Sequence, residues 1–337
     1  MSLKNYNPYL AFGGKIDPLS EIRNAGIVTN GDVYWVKVET DSDYTTLGEQ
    51  VGNDKLVDTL QEAIDKTTSD HNDYIMVTPQ NGGTVWTLGT AVDLDEDKVH
   101  IVGVGYVPGA SSYPVTFRGF ASSTVDTEML YVTGNGCEMT GVKFQGTLGT
   151  HDGGTMSNGL AYINANDFYA RSCMFEITQA SFGSPQLILG GGTKHAARFD
   201  DCTFIVPDAQ VESSGNAALV KLGNGGKRWH FNECRFILYA GSTTESFVAC
   251  GTGAKEFTLF SRCEFINLNH AKAPASAFRG STTVVNPVLL EYCTALNVTA
   301  LGTDPTVYVA PQQAGTSEGG VHNVGIYLRG SAAVVAA

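Results

Sequence analysis

Along the C-terminal two thirds of the chain, apolar and polar residues alternate with a period of two, and the alternation slips by one at a recurring place. In Trp229-His230-Phe231-Asn232-Glu233-Cys234-Arg235-Phe236 the apolar positions are Trp229 and Phe231, then Cys234 and Phe236, on either side of the polar pair Asn232-Glu233. A period of two belongs to a strand with one buried face, so this segment predicts a strand, a two-residue bend and a second strand. The phrase returns around Cys173, in Phe199-Asp200-Asp201-Cys202-Thr203-Phe204, in Phe260-Ser261-Arg262-Cys263-Glu264-Phe265 and, more weakly, in Leu290-Glu291-Tyr292-Cys293-Thr294-Ala295. Its cysteines stand 29, 32, 29 and 30 residues apart. A second apolar anchor, at Leu187, Leu219, Val248 and Phe278, precedes each following cysteine by 15 residues, and Gly-rich turns such as Gly190-Gly191-Gly192 come after it. Earlier copies fit at Cys137 to Phe144, with Val142 in the cysteine's place, and at Val99 to Val104. With no amphipathic helical stretch inside the repeat, a period near 30 predicts one coil of three short strands per repeat. About eight such coils, stacked roughly 4.8 Å apart, would form a rod of roughly 40 Å.

Ahead of the repeats, Leu56, Val57, Leu60, Ala63 and Ile64 fall on one face of a helix over 54–66. A strand at Tyr74-Ile75-Met76-Val77 and the segment Val99-His100-Ile101-Val102-Gly103-Val104-Gly105 follow. This order, with the coils and their polar bends, resembles the right-handed parallel β-helix of the pectate-lyase-like superfamily. It departs from the superfamily's pattern at Thr78-Pro79-Gln80, where Pro-Gly and an aromatic are usual. The resemblance implies an all-β chain: a single right-handed parallel β-helix of about eight coils, with an N-terminal capping helix over the open first edge. The expected organisation is an extended N-terminal arm at 1–50, a capping helix at 51–70, the β-helix at 71–329 and a C-terminal tail at 330–337. The arm contains one strand-like run, Asp32 to Val38, whose Tyr34 and Trp35 are expected to serve attachment.

Composition narrows the classes. Among 337 residues, 34 acidic side chains against 21 basic ones give a formal charge of −13, which excludes a coat for nucleic acid. The seven cysteines are odd in number and widely spaced, and five follow the repeat, so they read as small apolar lumen fillers and not as a disulfide framework. The chain opens Met1-Ser2-Leu3-Lys4-Asn5-Tyr6 without an apolar signal region, and no run approaches 18 apolar residues; folding in a reducing cytoplasm, without a membrane partner, is the expectation.

Chemistry, if present, belongs on the outward rows. The row before the cysteines contains Asp201, Glu233 and Arg262 on successive coils, two carboxylates and a guanidinium that would suit acid–base cleavage of a glycan. The other reading of that row is inter-coil ion pairing, Glu233 with Arg262 and Arg235 with Glu264. The acidic run Asp93-Leu94-Asp95-Glu96-Asp97 has the hard ligands calcium prefers but not the glycine and terminal glutamate of an EF-hand. The seven histidines show no ligand spacing, so no metal or cofactor is expected. Outward alternation also predicts a stripe of Ile205, Ile237, Ile266 and Leu296. If it faces water it is an association surface; if the strand bends there, it turns inward.

An acidic rod with an arm is similar to β-helical virion proteins of tailed bacteriophages. That resemblance implies a non-enzymatic virion structural protein, a trimeric capsid decoration or spike bound to the major capsid or other virion proteins through its arm. The alternative is a phage depolymerase or polysaccharide lyase, or a non-cleaving spike that binds host surface glycan through aromatics such as Tyr169 and Tyr292.

Overall fold

The computed structural model describes residues 31–83, 85–106, 113–119, 128–146, 160–178, 187–190, 196–207, 218–223, 227–250, 258–280, 288–300, 307–309 and 327–329. The strands form three sheets of 11, 9 and 7 members, all of whose pairings between coils are parallel. Successive strands visit the first, second and third sheet in turn, which makes each repeat one coil of a parallel β-helix. Among the described residues seven coils are complete and two more contribute strands to the first two sheets, a slight departure from the expected eight.

Most repeat positions that were apolar in the sequence fill the lumen. Val104 of the earliest copy instead lies on the outer face with Trp35 and Leu47, and on the third sheet Ile188 and Val220, not Leu187 and Leu219, are in register with Val248 and Phe278. On the second sheet, Phe117, Phe144, Phe175, Phe204, Phe236 and Phe265 stack rung over rung with ring centroids 4.8–6.0 Å apart. On the first, Phe199, Phe231 and Phe260 stack at 4.9 and 4.6 Å, and meet the other column edge to face. A parallel register puts like over like, so a row of one residue type solves the packing once and repeats the solution. The cysteines form a third column, and each thiol reaches back to a carbonyl of the preceding coil: Cys202 Sγ to Ala170 O at 3.5 Å, Cys234 to Phe199 O at 3.3 Å, Cys263 to Phe231 O at 3.3 Å and Cys293 to Phe260 O at 3.3 Å. All seven cysteines are buried and unbridged. Burial pushes the thiols of Cys173, Cys202 and Cys234 well above the ordinary value, so they are inert fillers with a weak donor.

The N-terminal end differs from expectation. Residues 33–51 are part of the fold and not an arm. Strand β1 (Val33–Val36) is hydrogen-bonded between β2 (Leu56–Val57) and β3 (Tyr74–Val77), helix α1 covers Tyr44–Val51, and helix α2 covers Leu60–Lys66. Tyr34 points into the lumen mouth with Val36, packed beneath Leu60, Ala63 and Ile64 of α2, and its hydroxyl donates to Lys66 O at 2.8 Å. Trp35, on the opposite side of the strand, is 1% exposed and clusters with Leu47 of α1, Leu56, Met76 and Val104. Neither residue is available for attachment. Both faces of β1 are covered because the two helices lie on opposite sides of the sheet, a layering that alternation along one strand does not reveal. Buried Lys37, ion-paired with Asp41 at 3.1 Å and Asp43 at 3.0 Å, fixes the turn that leads to α1.

The capping helix is shorter than the 54–66 expected. Leu56 and Val57 are drawn into the two-residue edge strand β2, and the helix begins only after Thr59, whose hydroxyl accepts the Glu62 N–H at 3.1 Å while Glu62 Oε2 accepts the Asp58 N–H at 3.2 Å. A two-residue edge strand leaves little backbone for unwanted pairing. What remains of the arm, residues 1–30, and the tail at 330–337 lie outside the described residues.

Candidate functional surface

The bend between the first and second sheets carries the row in which Asp201, Glu233 and Arg262 were expected. From Gly141 onward it reads Gly141, Ser172, Asp201, Glu233, Arg262 and Tyr292, and each of these residues has a left-handed backbone, with φ between 49° and 70°. Glycine takes this conformation freely and other residues at a cost of about 1–2 kcal/mol each. Here the conformation turns each N–H toward the following coil: Ser172 N–H donates to Asp200 O, Asp201 N–H to Asn232 O, Glu233 N–H to Ser261 O and Arg262 N–H to Glu291 O, all at 2.8–2.9 Å. The bend is therefore a backbone ladder, and its side chains project outward from it.

Those side chains pair along the ladder. Ser172 Oγ–H donates to Asp201 Oδ2 at 2.9 Å, and Arg262 Nε donates to Glu233 Oε1 at 2.9 Å while its Nη2 reaches Asn232 Oδ1 at 2.8 Å. Arg235 and Glu264, one step along the second sheet, pair at 3.2 Å. Glu233 and Arg262 are more than half exposed. Asp201, Glu233 and Arg262 thus lie on successive rungs, and each carboxylate is committed to a neighbour in the ladder.

The aliphatic row does face outward. Register places Ile205 beside Ile237, Ile237 beside Ile266 and Ile266 beside Leu296, and all four are half-buried while the residues before them point into the lumen. The strand does not bend there, so the row stays on the exterior. Tyr239 and Leu268, just past the ends of their strands, widen the patch, and Leu268 is 42% exposed. Glu176 precedes Ile205 in the row and is ion-paired with Lys143.

On the first sheet, Tyr169 is less open than its sequence position suggested. Its hydroxyl donates to Asp200 Oδ2 at 2.9 Å, and the Arg198 guanidinium, itself 2.7 Å from Asp200, lies over its ring at 5.5 Å. Burial, helped by the Asp200 carboxylate, pushes its hydroxyl up to about 12. Tyr292, by contrast, is 53% exposed at the last described rung of the bend ladder.

The Asp93–Asp97 run serves structure. Asp93 lies in a strand and its N–H donates to Gln61 Oε1 at 2.8 Å. Asp97 starts a ladder at the bend from the third sheet to the first: its Oδ1 accepts the Asn135 N–H at 2.6 Å, and Asn135 Oδ1 accepts the Asn166 N–H at 3.0 Å. A different group, Asp32, His71 and Asp73, went unnoticed in the sequence, where nothing in their spacing marks them. Their ligand atoms lie within 4.8 Å of one another. Asp73 is fully buried and already accepts the Asp32 N–H at 2.6 Å and the Thr68 N–H at 2.8 Å, with His71 Nδ1 at 2.8 Å, so its carboxylate is consumed in anchoring the entry to β1.

The negative charge is polarised along the rod. Residues 31–100, the two helices and the first coil, hold 15 acidic side chains against four basic ones, whereas residues 101–337 hold 17 against 14. Glu39, Asp58, Glu62 and Asp65 line one shallow recess of this end.

No protein-family model and no curated protein matches the sequence. Among solved structures, the chain is similar to a pectin methylesterase mutant in complex with a hexasaccharide, with 11% identity, 92% of each chain covered and a TM-score of 0.53. It is similar likewise to pectin methylesterase PemA from Erwinia chrysanthemi, with 10% identity, 92% of each chain covered and a TM-score of 0.52. It also matches the ORF18 protein of Geobacillus virus E2 at 9% identity and a TM-score of 0.34, covering 74% of this chain and 55% of that one. The chain has the right-handed parallel β-helix fold. At these identities the likeness extends to the fold, which hosts many chemistries.

Proposed function

We propose that this chain is a non-enzymatic structural protein of a bacteriophage particle, an oligomeric decoration or spike. The observation that carries the reading is the use of the outward rows. Where an enzyme of this fold would need converging acids and bases, the bend side chains are spent on rung-to-rung pairs, and the second sheet instead exposes a continuous aliphatic row. Binding such a surface to another protein removes apolar area from water; cleaving a glycan makes no use of it. We assign attachment to residues 1–30; this choice is supported by Tyr34 and Trp35 belonging to the cap.

Two chains test this: the full chain and one beginning at residue 31. Each is incubated with virions of the encoding phage and sedimented. The full chain is expected to sediment with the particles, and the shortened chain to stay in the supernatant with an unchanged melting temperature. The reading fails if neither chain sediments with particles, or if the full chain releases reducing or unsaturated ends from host surface polysaccharide.

A further inference from the structure

We propose that two copies of this chain associate through the aliphatic row of the second sheet, with their rods antiparallel about a twofold axis. The row Ile205, Ile237, Ile266, Leu296 is straight, regular and four rungs long, and its midpoint lies between the rungs of Ile237 and Ile266. The two central rungs carry opposite charges beside it. One reads Glu233, Arg235, Ile237 and the next reads Arg262, Glu264, Ile266, with every charge exposed. A twofold axis through the midpoint, perpendicular to the rods and lying between the two faces, sets each rung of one copy against the other central rung of its partner. Ile237 then meets Ile266, Arg235 meets Glu264 and Glu233 meets Arg262, so the in-chain ion pairs close into networks shared by both copies. The patch is self-complementary in the isologous sense.

Rods side by side in the same direction would lose this match, because identical rungs would then meet. They would also bring together the ends that hold the excess of acidic residues. The antiparallel arrangement places the two acidic ends at opposite extremes of the pair, separated by far more than a Debye length of about 10 Å at 0.1 M salt. A net charge of −13 opposes self-association in general; this face is where that opposition is absent. The inference is independent of whether the chain belongs to a particle.

Sedimentation equilibrium of the full chain across a range of concentrations is expected to show a monomer–dimer equilibrium, reaching twice the chain mass of 35.8 kDa. Ile237→Asp is expected to raise the dissociation constant at least about tenfold while leaving the melting temperature of the monomer unchanged. Orientation is read with Ile237→Cys and Ile266→Cys and a short bis-maleimide, the native cysteines being buried. A mixture of the two variants should cross-link, and each variant alone should cross-link much less. A monomer at every concentration, a trimer, or preferential cross-linking of Ile237→Cys to itself would overturn the proposal.

Discussion

Glu233 separates what a side chain does from what its backbone requires. Its φ of 55° is the left-handed conformation shared by the whole bend ladder, and its carboxylate makes one exposed ion pair with Arg262. An exposed pair contributes under about 1 kcal/mol, whereas a β-branched residue is a genuine outlier in that backbone region. Glu233→Gln is therefore expected to cost less than about 1 kcal/mol and Glu233→Val about 2 kcal/mol or more, as measured by denaturant unfolding; equal losses would mean that the charge, not the bend, is what the position demands. Glu245 offers a pH test. It is 1% exposed, its Oε1 has no partner and its Oε2 accepts the Gly241 N–H at 3.2 Å. Burial raises its pKa above the ordinary carboxylate value. The folded state therefore carries a penalty when the group is charged, a penalty complete above the folded pKa and gone below the unfolded value of about 4.3. Glu245→Gln should be more stable than the native chain at pH 7 by about 1 kcal/mol, and thermal melts should show that advantage vanish as the pH falls toward about 4.

At the scale of elements, the cysteine column and the N-terminal cap make separate demands. Each thiol fills a rung and touches a carbonyl of the coil before it. Cys202→Ala should cost about 1–3 kcal/mol through the space it leaves, and a thiol reagent should find no reactive cysteine in the native chain and all seven after unfolding. Rapid labelling of several thiols without unfolding would contradict the closed lumen. In the cap, Trp35 holds α1 to the outer face of the first sheet. Trp35→Ala is expected to cost about 3–5 kcal/mol in calorimetric melts, which an attachment residue at the surface would not. The cap was only partly legible in the sequence. The helix face of Leu60, Ala63 and Ile64 could be read from periodicity, but the loss of Leu56 and Val57 to an edge strand could not, because that strand exists only by pairing with β1.

At the scale of the whole molecule, the chain is a rod with an acidic end, an aliphatic row on one sheet, and paired charges between them. Charge that is concentrated at one end orients encounters with a partner and is screened by salt. Association through the acidic end is therefore expected to weaken as ionic strength rises, while association through the aliphatic row depends chiefly on Ile237 and its neighbours; measuring binding of the Ile237→Asp variant at low and high salt separates the two contributions.

The sequence by itself determined the repeat and its cysteine and phenylalanine columns, since strand periodicity and parallel stacking oblige like residues to lie over like. Cys173 to Cys293 and the second-sheet phenylalanines from Phe144 to Phe265 announced their places in this way, whereas Phe117 did not. On the third sheet the sequence placed the anchor row one residue out at two rungs, because Ile188 and Val220, not Leu187 and Leu219, pair in register with Val248 and Phe278. It also placed Ile205, Ile237, Ile266 and Leu296 in one row, and left open whether that row faced in or out. Only the tertiary structure decided that question, along with the burial of Tyr34 and Trp35 and the commitment of Asp201, Glu233, Arg262 and Asp97 to ladders. Each of these depends on what lies on the adjacent coil or the far side of a sheet, about 30 residues away along the chain and roughly 5 Å away in space.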